Sequence, residues 1–383
     1  TAASLADGSP AQTLLNDVVS TSTNAAVDTV PEIEALAAAA RAVMNQAAGS
    51  ATNEPTLAQF ALLGITGVHA DNLSAVQAAI AATVDTGSAV DTTAKIQALV
   101  TQTNVQLLDI LRLYADSNTG AIPTVADYAR AGITGVDSIN IFAINSALAS
   151  ASVTGTSINT LANAQALVDS YRGILAEANA LAADLTSSTD PAAADYTRIG
   201  ATTAGNLSAN GLSLLNDVIG DLPFYAVDSV NEIEALAAVV NKVMALAANQ
   251  APAAALTTAD LALFGITGVQ TAQLAKFVAL LQDPTIAPAN SDTLAELRAL
   301  LATAAGEASL DIIKAYAEAN SGTMPTLSDY ANVGVTGITS ANVSAINSAL
   351  ATTAIIGSSA SSCPPACRWR TSSRTACSGC LMR

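Results

Sequence analysis

The sequence predicts an all-α fold, a tandem and elongated array of three-helix modules, each of about 68 residues. Three observations carry that expectation. The stretch Pro123-Thr124-Val125-Ala126-Asp127-Tyr128-Ala129-Arg130-Ala131-Gly132-Ile133-Thr134-Gly135-Val136 recurs at 55–68, 257–269 and 325–338, and in degraded form at 191–204. Its central glycines are Gly64, Gly132, Gly200, Gly265 and Gly334, and the intervals between them, 68, 68, 65 and 69, mark a repeat architecture. Hydrophobic residues make up 51% of the chain but aromatics only 3%, a composition suited to closely packed, Ala-rich helices. No segment sustains the period-two alternation of a strand. A module of this length buries only roughly 60% of its unfolded surface and gains from its neighbours.

Residues 1–54 read as the carboxy-terminal part of a module. Leu14-Leu15-Asn16-Asp17-Val18 matches Leu214-Leu215-Asn216-Asp217-Val218, and Glu32–Leu36 matches Glu232–Leu236, both at an offset of 200. Modules are then expected at 55–122, 123–190, 191–255 and 256–324, with a truncated one at 325–360.

Each module should open with a short helix. Thr124/Asp127, Thr257/Asp260 and Thr326/Asp329 are spaced as capping boxes, and Thr56/Gln59 is the amide version. Pro123 keeps the incoming chain extended, and Gly132 ends the helix by entering the left-handed region. Ile133 and Val136 should then fold back onto the core. A second helix is expected from N-caps near Ser138, Thr271 or Ser340, with Ile141, Ile144 and Leu148 on one face. The third is long. Over 158–182 the positions Leu161, Ala164, Val168, Tyr171, Leu175, Ala178 and Ala182 form a seam, widened by Leu167, Ile174 and Leu181. Leu294, Leu297, Leu301, Ala304, Ala308 and Ile312 form its equivalent over 292–319, and Asn118 and Asn320 stand where such helices stop.

The formal charge is −17, and the body before Ser358 carries ten basic against thirty-one acidic residues. An acidic surface repels phosphate backbones and anionic lipid, which argues against nucleic acid and membrane partners. No run approaches the ~18 uncharged apolar residues of a transmembrane helix. The chain opens at Thr1 without a basic–apolar leader and reads as a fragment or processed product. All four cysteines and the only Trp lie in the atypical segment 361–383. That tail reads as a frameshift or expression artefact. A natural disordered tail is one alternative, and a four-thiolate zinc site on Cys363, Cys367, Cys377 and Cys380 is the other.

Candidate chemistry is sparse. His69 is the only histidine, read as an exposed corner residue, and the body has no cysteine. Ser-His-Asp, Cys-His and multi-histidine metal sites therefore have no residues to draw on there. Asp127, Asp195, Asp260 and Asp329 recur at one position, and capping explains three of them; Asp195 has Ala192 in place of Thr. Glu32 and Glu34, two apart on a helix, face different directions and make no glycosidase pair. The loop Asp116-Ser117-Asn118-Thr119-Gly120 offers oxygen ligands without the calcium-loop pattern. Tyr128, Tyr196 and Tyr330 share a place with Phe60 and Leu261, which marks a core position rather than a ligand cage. No catalytic, cofactor-binding or metal residue is assigned, and no cofactor is expected.

The phrase Pro-Thr-x-x-Asp-Tyr-Ala-x-x-Gly-Ile-Thr-Gly-Val, followed by Asn-x-x-x-Ile-Asn-Ser-Ala-Leu, resembles repeat modules of very large Gram-negative surface and biofilm proteins. That resemblance covers nearly all of residues 1–357. It implies a non-catalytic stalk of an adhesin-like protein, extracellular or at the bacterial cell surface. The alternatives are a module that binds a glycan or protein partner in inter-module grooves, and a subunit that self-assembles with other copies into a layer or filament.

Overall fold

A computed structural model describes residues 5–50, 52–84, 86–119, 121–178 and 190–352. The expected segment 361–383 with its four cysteines, the end of 325–360, and Leu181 and Ala182 lie outside them. The described residues hold 17 α-helices and no strand, so the fold is all-α. In chain order they are α1 (Pro10–Thr21), α2 (Val30–Ala47), α3 (Leu57–Leu62), α4 (Leu73–Ala81), α5 (Thr93–Ser117), α6 (Val125–Arg130), α7 (Ile141–Leu148), α8 (Leu161–Ala178) and α9 (Ala193–Arg198). There follow α10 (Thr202–Gly205), α11 (Ala209–Asp221), α12 (Val230–Ala247), α13 (Thr258–Leu263), α14 (Thr271–Leu281), α15 (Leu294–Ala319), α16 (Leu327–Asn332) and α17 (Val343–Leu350). The chain packs as two compact units, 1–206 with 223–234, and 207–222 with 235–383.

In the first unit, α2 supplies a face of Leu36, Ala37, Ala40, Val43 and Ala47. Ala37, Ala40 and Ala47 on this face are fully buried and let neighbouring helices come close, and Phe60, Val76, Ile80, Ile96 and Val100 fill the space they leave. Each such large side chain contributes roughly 1.5–3 kcal/mol by leaving water. A carboxylate on α1 closes this arrangement: Asp17 accepts the backbone N–H (2.8 Å) and hydroxyl (2.6 Å) of Thr93 at the start of α5. In the second unit, Asp217 on α11 does the same for the N–H of Leu294 at the start of α15. Both satisfy a first-turn N–H that the helix itself leaves orphaned.

The long helices pass from one short helix to the next. α5 packs on α4 and then on α6, α8 on α7 and then α9, and α15 on α14 and then α16. The handover turns the buried face of α15. Its first half buries Leu294, Leu297, Leu301, Ala304 and Ala308 as expected, but beyond that Ile313 is buried and Ile312 only half so. This second half is where α16 packs, and there the side chain of Asn332 donates to the buried Ser309 Oγ at 3.1 Å.

Other boundaries are corrected too. Ser138 and Ser340 do not cap the second helices; Asn140 and Asn342 stand at those N-termini, and Thr271 is the first helical residue after Gln270. α8 begins at Leu161 rather than Ile158, because Thr160 Oγ1 accepts the Asn163 N–H at 3.1 Å. Ile158 is buried in the preceding turn, whereas Leu161 is 39% exposed and stands outside the seam.

Candidate functional site

The recurring Pro-Thr-x-x-Asp stretch builds the same corner wherever it occurs. Thr124 Oγ1 accepts the Asp127 N–H at 3.3 Å, and Asp127 Oδ2 accepts the Thr124 N–H at 2.9 Å and its hydroxyl at 2.6 Å. Thr257 with Asp260, and Thr326 with Asp329, repeat both directions, and Gln59 serves Thr56. Ala192 has no hydroxyl, so only the return bond forms, from its N–H to Asp195 at 2.9 Å. The spare oxygen of Asp195 accepts instead from Ser170 at 2.8 Å and Arg198 at 3.1 Å. The Thr124 hydroxyl holds the Asp127 carboxyl below the usual carboxylate range, against the opposing effect of burial. At Asp260 burial pushes the pKa up, yet bonds from Lys242 and Thr257 outweigh it and the net direction is down.

The corner then closes as a Schellman motif. Gly132 adopts φ +85°, and the Ile133 N–H reaches back to the Tyr128 carbonyl at 2.9 Å. The same bond joins Ile65 to Phe60, Ala201 to Tyr196, Ile266 to Leu261 and Val335 to Tyr330. At Gly200 the chain departs only afterwards: the four-residue helix α10 replaces the second turn, and Ala201 and Ala204 are fully buried.

Buried amides tie the corner to the helix after it. Tyr128 OH donates to Asn145 Oδ1 at 2.6 Å, and Asn145 Nδ2 donates to the Pro123 carbonyl at 2.9 Å. Tyr330, Asn347 and Pro325 repeat this at 2.6 and 2.8 Å. Burial raises the Tyr128 and Tyr330 phenols above their usual range, so they act as neutral donors. Asn140 accepts from the Asp137 N–H (3.0 Å) and donates to the Gly135 carbonyl (2.8 Å), as Asn72 and Asn342 do at their corners. Gln165 on α8 pairs with both backbone groups of Thr134 at 2.8 and 3.1 Å, and Gln97 on α5 does so for Thr66. The phrase Asn-x-x-x-Ile-Asn contains Asn140 and Asn145, and Asn342 and Asn347, without showing what they bond, and Asn72, Gln97 and Gln165 stand outside it. Their signal was spacing, with each asparagine at a fixed step after the second glycine and each glutamine at a fixed step after the threonine.

The remaining candidates do not converge. His69 is half-buried rather than exposed, with Nδ1 3.9 Å from Asp71 and Nε2 against Gly132. Asp116 of the oxygen-rich loop accepts the Gly155 N–H at 2.7 Å, and Asn118 is its left-handed helix stop at φ +51°. Among the described residues no three His, Cys, Asp or Glu side chains lie where they could hold a metal, and no helix is long and apolar enough to cross a membrane. An open apolar groove of about 840 Å³ runs beside the corner, lined by Tyr114, Ile122, Val125, Ile141 and Phe142, the last 63% exposed. No protein-family model, curated protein or solved structure matches the chain.

Proposed function

We propose that the chain is a non-catalytic structural stretch of an extracellular, adhesin-like protein, in which three-helix modules stack end to end and hold other parts at a distance. One observation supports this reading above the others. The corner keeps its backbone bonds at five places while the side chain at its centre changes among Tyr, Phe and Leu. A binding or catalytic site would need one side-chain chemistry there; a joint needs only the bonds and the filled volume. Long helices that serve one short helix and then the next are what a stacked array requires.

Small-angle scattering tests the reading. A compact chain of 383 residues has a radius of gyration of about 21 Å, whereas a rod of roughly 100 Å gives about 29 Å from its length divided by √12. A value near the upper figure is expected, and one near the lower would overturn the stalk.

The groove at Phe142 favours a second reading, a binding module for a protein or glycan, because exposed apolar side chains cluster there. Glycan-array binding lost in Phe142→Ser, the residue type at the equivalent Ser344, would favour it over the stalk.

A further inference from the structure

Residues 223–234 and 24–34 are closely matched segments in different circumstances. Both run through a three-residue 3-10 turn, Phe224–Ala226 or Asn24–Ala26, into an 18-residue helix that starts at Val230 or Val30. In the first, Val227, Val230 and Ile233 are 0, 5 and 0% exposed. The Val230 N–H donates to Ser146 Oγ on α7 at 2.8 Å, and the Val227 carbonyl accepts from Tyr171 OH on α8 at 3.3 Å. In the second, Val30 is 70% exposed and Val27 and Ile33 are half-buried. The Val30 N–H has no acceptor among the described residues.

We propose that the Val27–Val30–Ile33 face is a docking surface, and that its occupant is a second short-and-long helix pair of the α7–α8 kind. The chain itself supplies the template. The socket that buries Val227, Val230 and Ile233 offers a serine hydroxyl to the first-turn N–H and a tyrosine hydroxyl to the carbonyl three residues before it. The second segment carries the same three apolar positions and the same two backbone groups: Val30 stands open, while Ile33 is half-buried and Val27 also leans on the core of the first unit, so Val30 is the side chain such a socket would newly cover. Docking of this kind would join one three-module block to the next, so it rests on the stacked-array reading and deepens it.

The test is a longer chain with residues 1–200 placed ahead of Thr1, so that Gly200 runs into Thr1 where it otherwise runs into Ala201. Hydrogen exchange is followed at residues 24–30, which now occur twice. Half of that signal is expected to slow about tenfold or more relative to the parent chain. Val30→Asp in the second occurrence should return it to the parent rate, while in the parent chain the same change should leave the melting temperature unmoved. Unchanged exchange at both occurrences, or slow exchange that survives Val30→Asp, would overturn the proposal. Val230→Asp in the parent chain checks the template without any added residues: it should speed exchange at 224–230 by a similar factor, and an unchanged rate would also overturn it. A rod-like scattering result with no slowed half would leave the stalk standing and remove this docking alone.

Discussion

Tyr128, Phe60 and Leu261 occupy the same place before a glycine corner, and their polar neighbours change with them. Tyr128 faces Asn145, Phe60 goes with the half-buried Gln77, and Leu261 goes with Val278. Gln77 keeps the bond to the proline carbonyl, 3.0 Å to Pro55, but has no hydroxyl to accept from. The pairing follows from satisfaction of buried groups: a buried asparagine oxygen needs a donor, and a buried phenol needs an acceptor. Tyr128→Phe should therefore cost about 1–3 kcal/mol, because Asn145 Oδ1 stays buried without its partner. Adding Asn145→Gln recreates the combination at 60 and 77 and should recover at least half of that loss. Urea denaturation of the two variants measures it, and a silent Tyr128→Phe would show that the hydroxyl contributes nothing.

Helix ends depend on carboxylates, which makes the elements sensitive to acid. Asp17 is lowered by the Thr93 hydroxyl and N–H, and Asp127 by the Thr124 hydroxyl, both relative to an ordinary value of 3.8. A depressed folded-state pKa means that the native state holds its proton less tightly than the unfolded chain does. The stabilisation is thus complete above pH 3.8 and is lost as pH falls through the lower folded-state value. Asp228 runs the other way, since its raised pKa imposes a penalty above that value which protonation relieves. Thermal melts between pH 6 and 2.5 should show Thr93→Val and Thr124→Val losing stability at pH 6 while falling less steeply below pH 4. Parallel curves for variants and parent would remove the carboxylates from this role. The same elements show how far the sequence could be read. The Thr124–Asp127 box and the Gly132 stop depend on residues close together in the chain, so pattern alone places them. The start of α7 departs from the expected Ser138 because Asn140 takes the position by bridging Gly135 and Asp137, a preference that Ser138 does not reveal by its type. Asp17 capping α5 from a distant helix, and α16 packing on the second half of α15, depend on tertiary approach and leave no local trace. The half-burial of His69 escapes a local reading for the same reason, because Gly132, which meets its ring, belongs to the next copy of the corner.

At the scale of the whole chain, two compact units of short and long helices imply unfolding that is local before it is global. Where each element contacts mainly its near neighbours, stability is a sum of local and nearest-neighbour contributions, and a lesion weakens its surroundings first. Ile96→Ala in the first unit and Leu297→Ala in the second each empty a fully buried site and should cost about 2–5 kcal/mol locally. Urea unfolding should proceed in at least two steps, each with a slope of roughly 1–3 kcal/mol/M, as for a small domain rather than for a single cooperative chain of this length. Ile96→Ala should move one step and Leu297→Ala another. A single transition, coincident by fluorescence and circular dichroism and displaced equally by both substitutions, would mean that the chain behaves as one cooperative body.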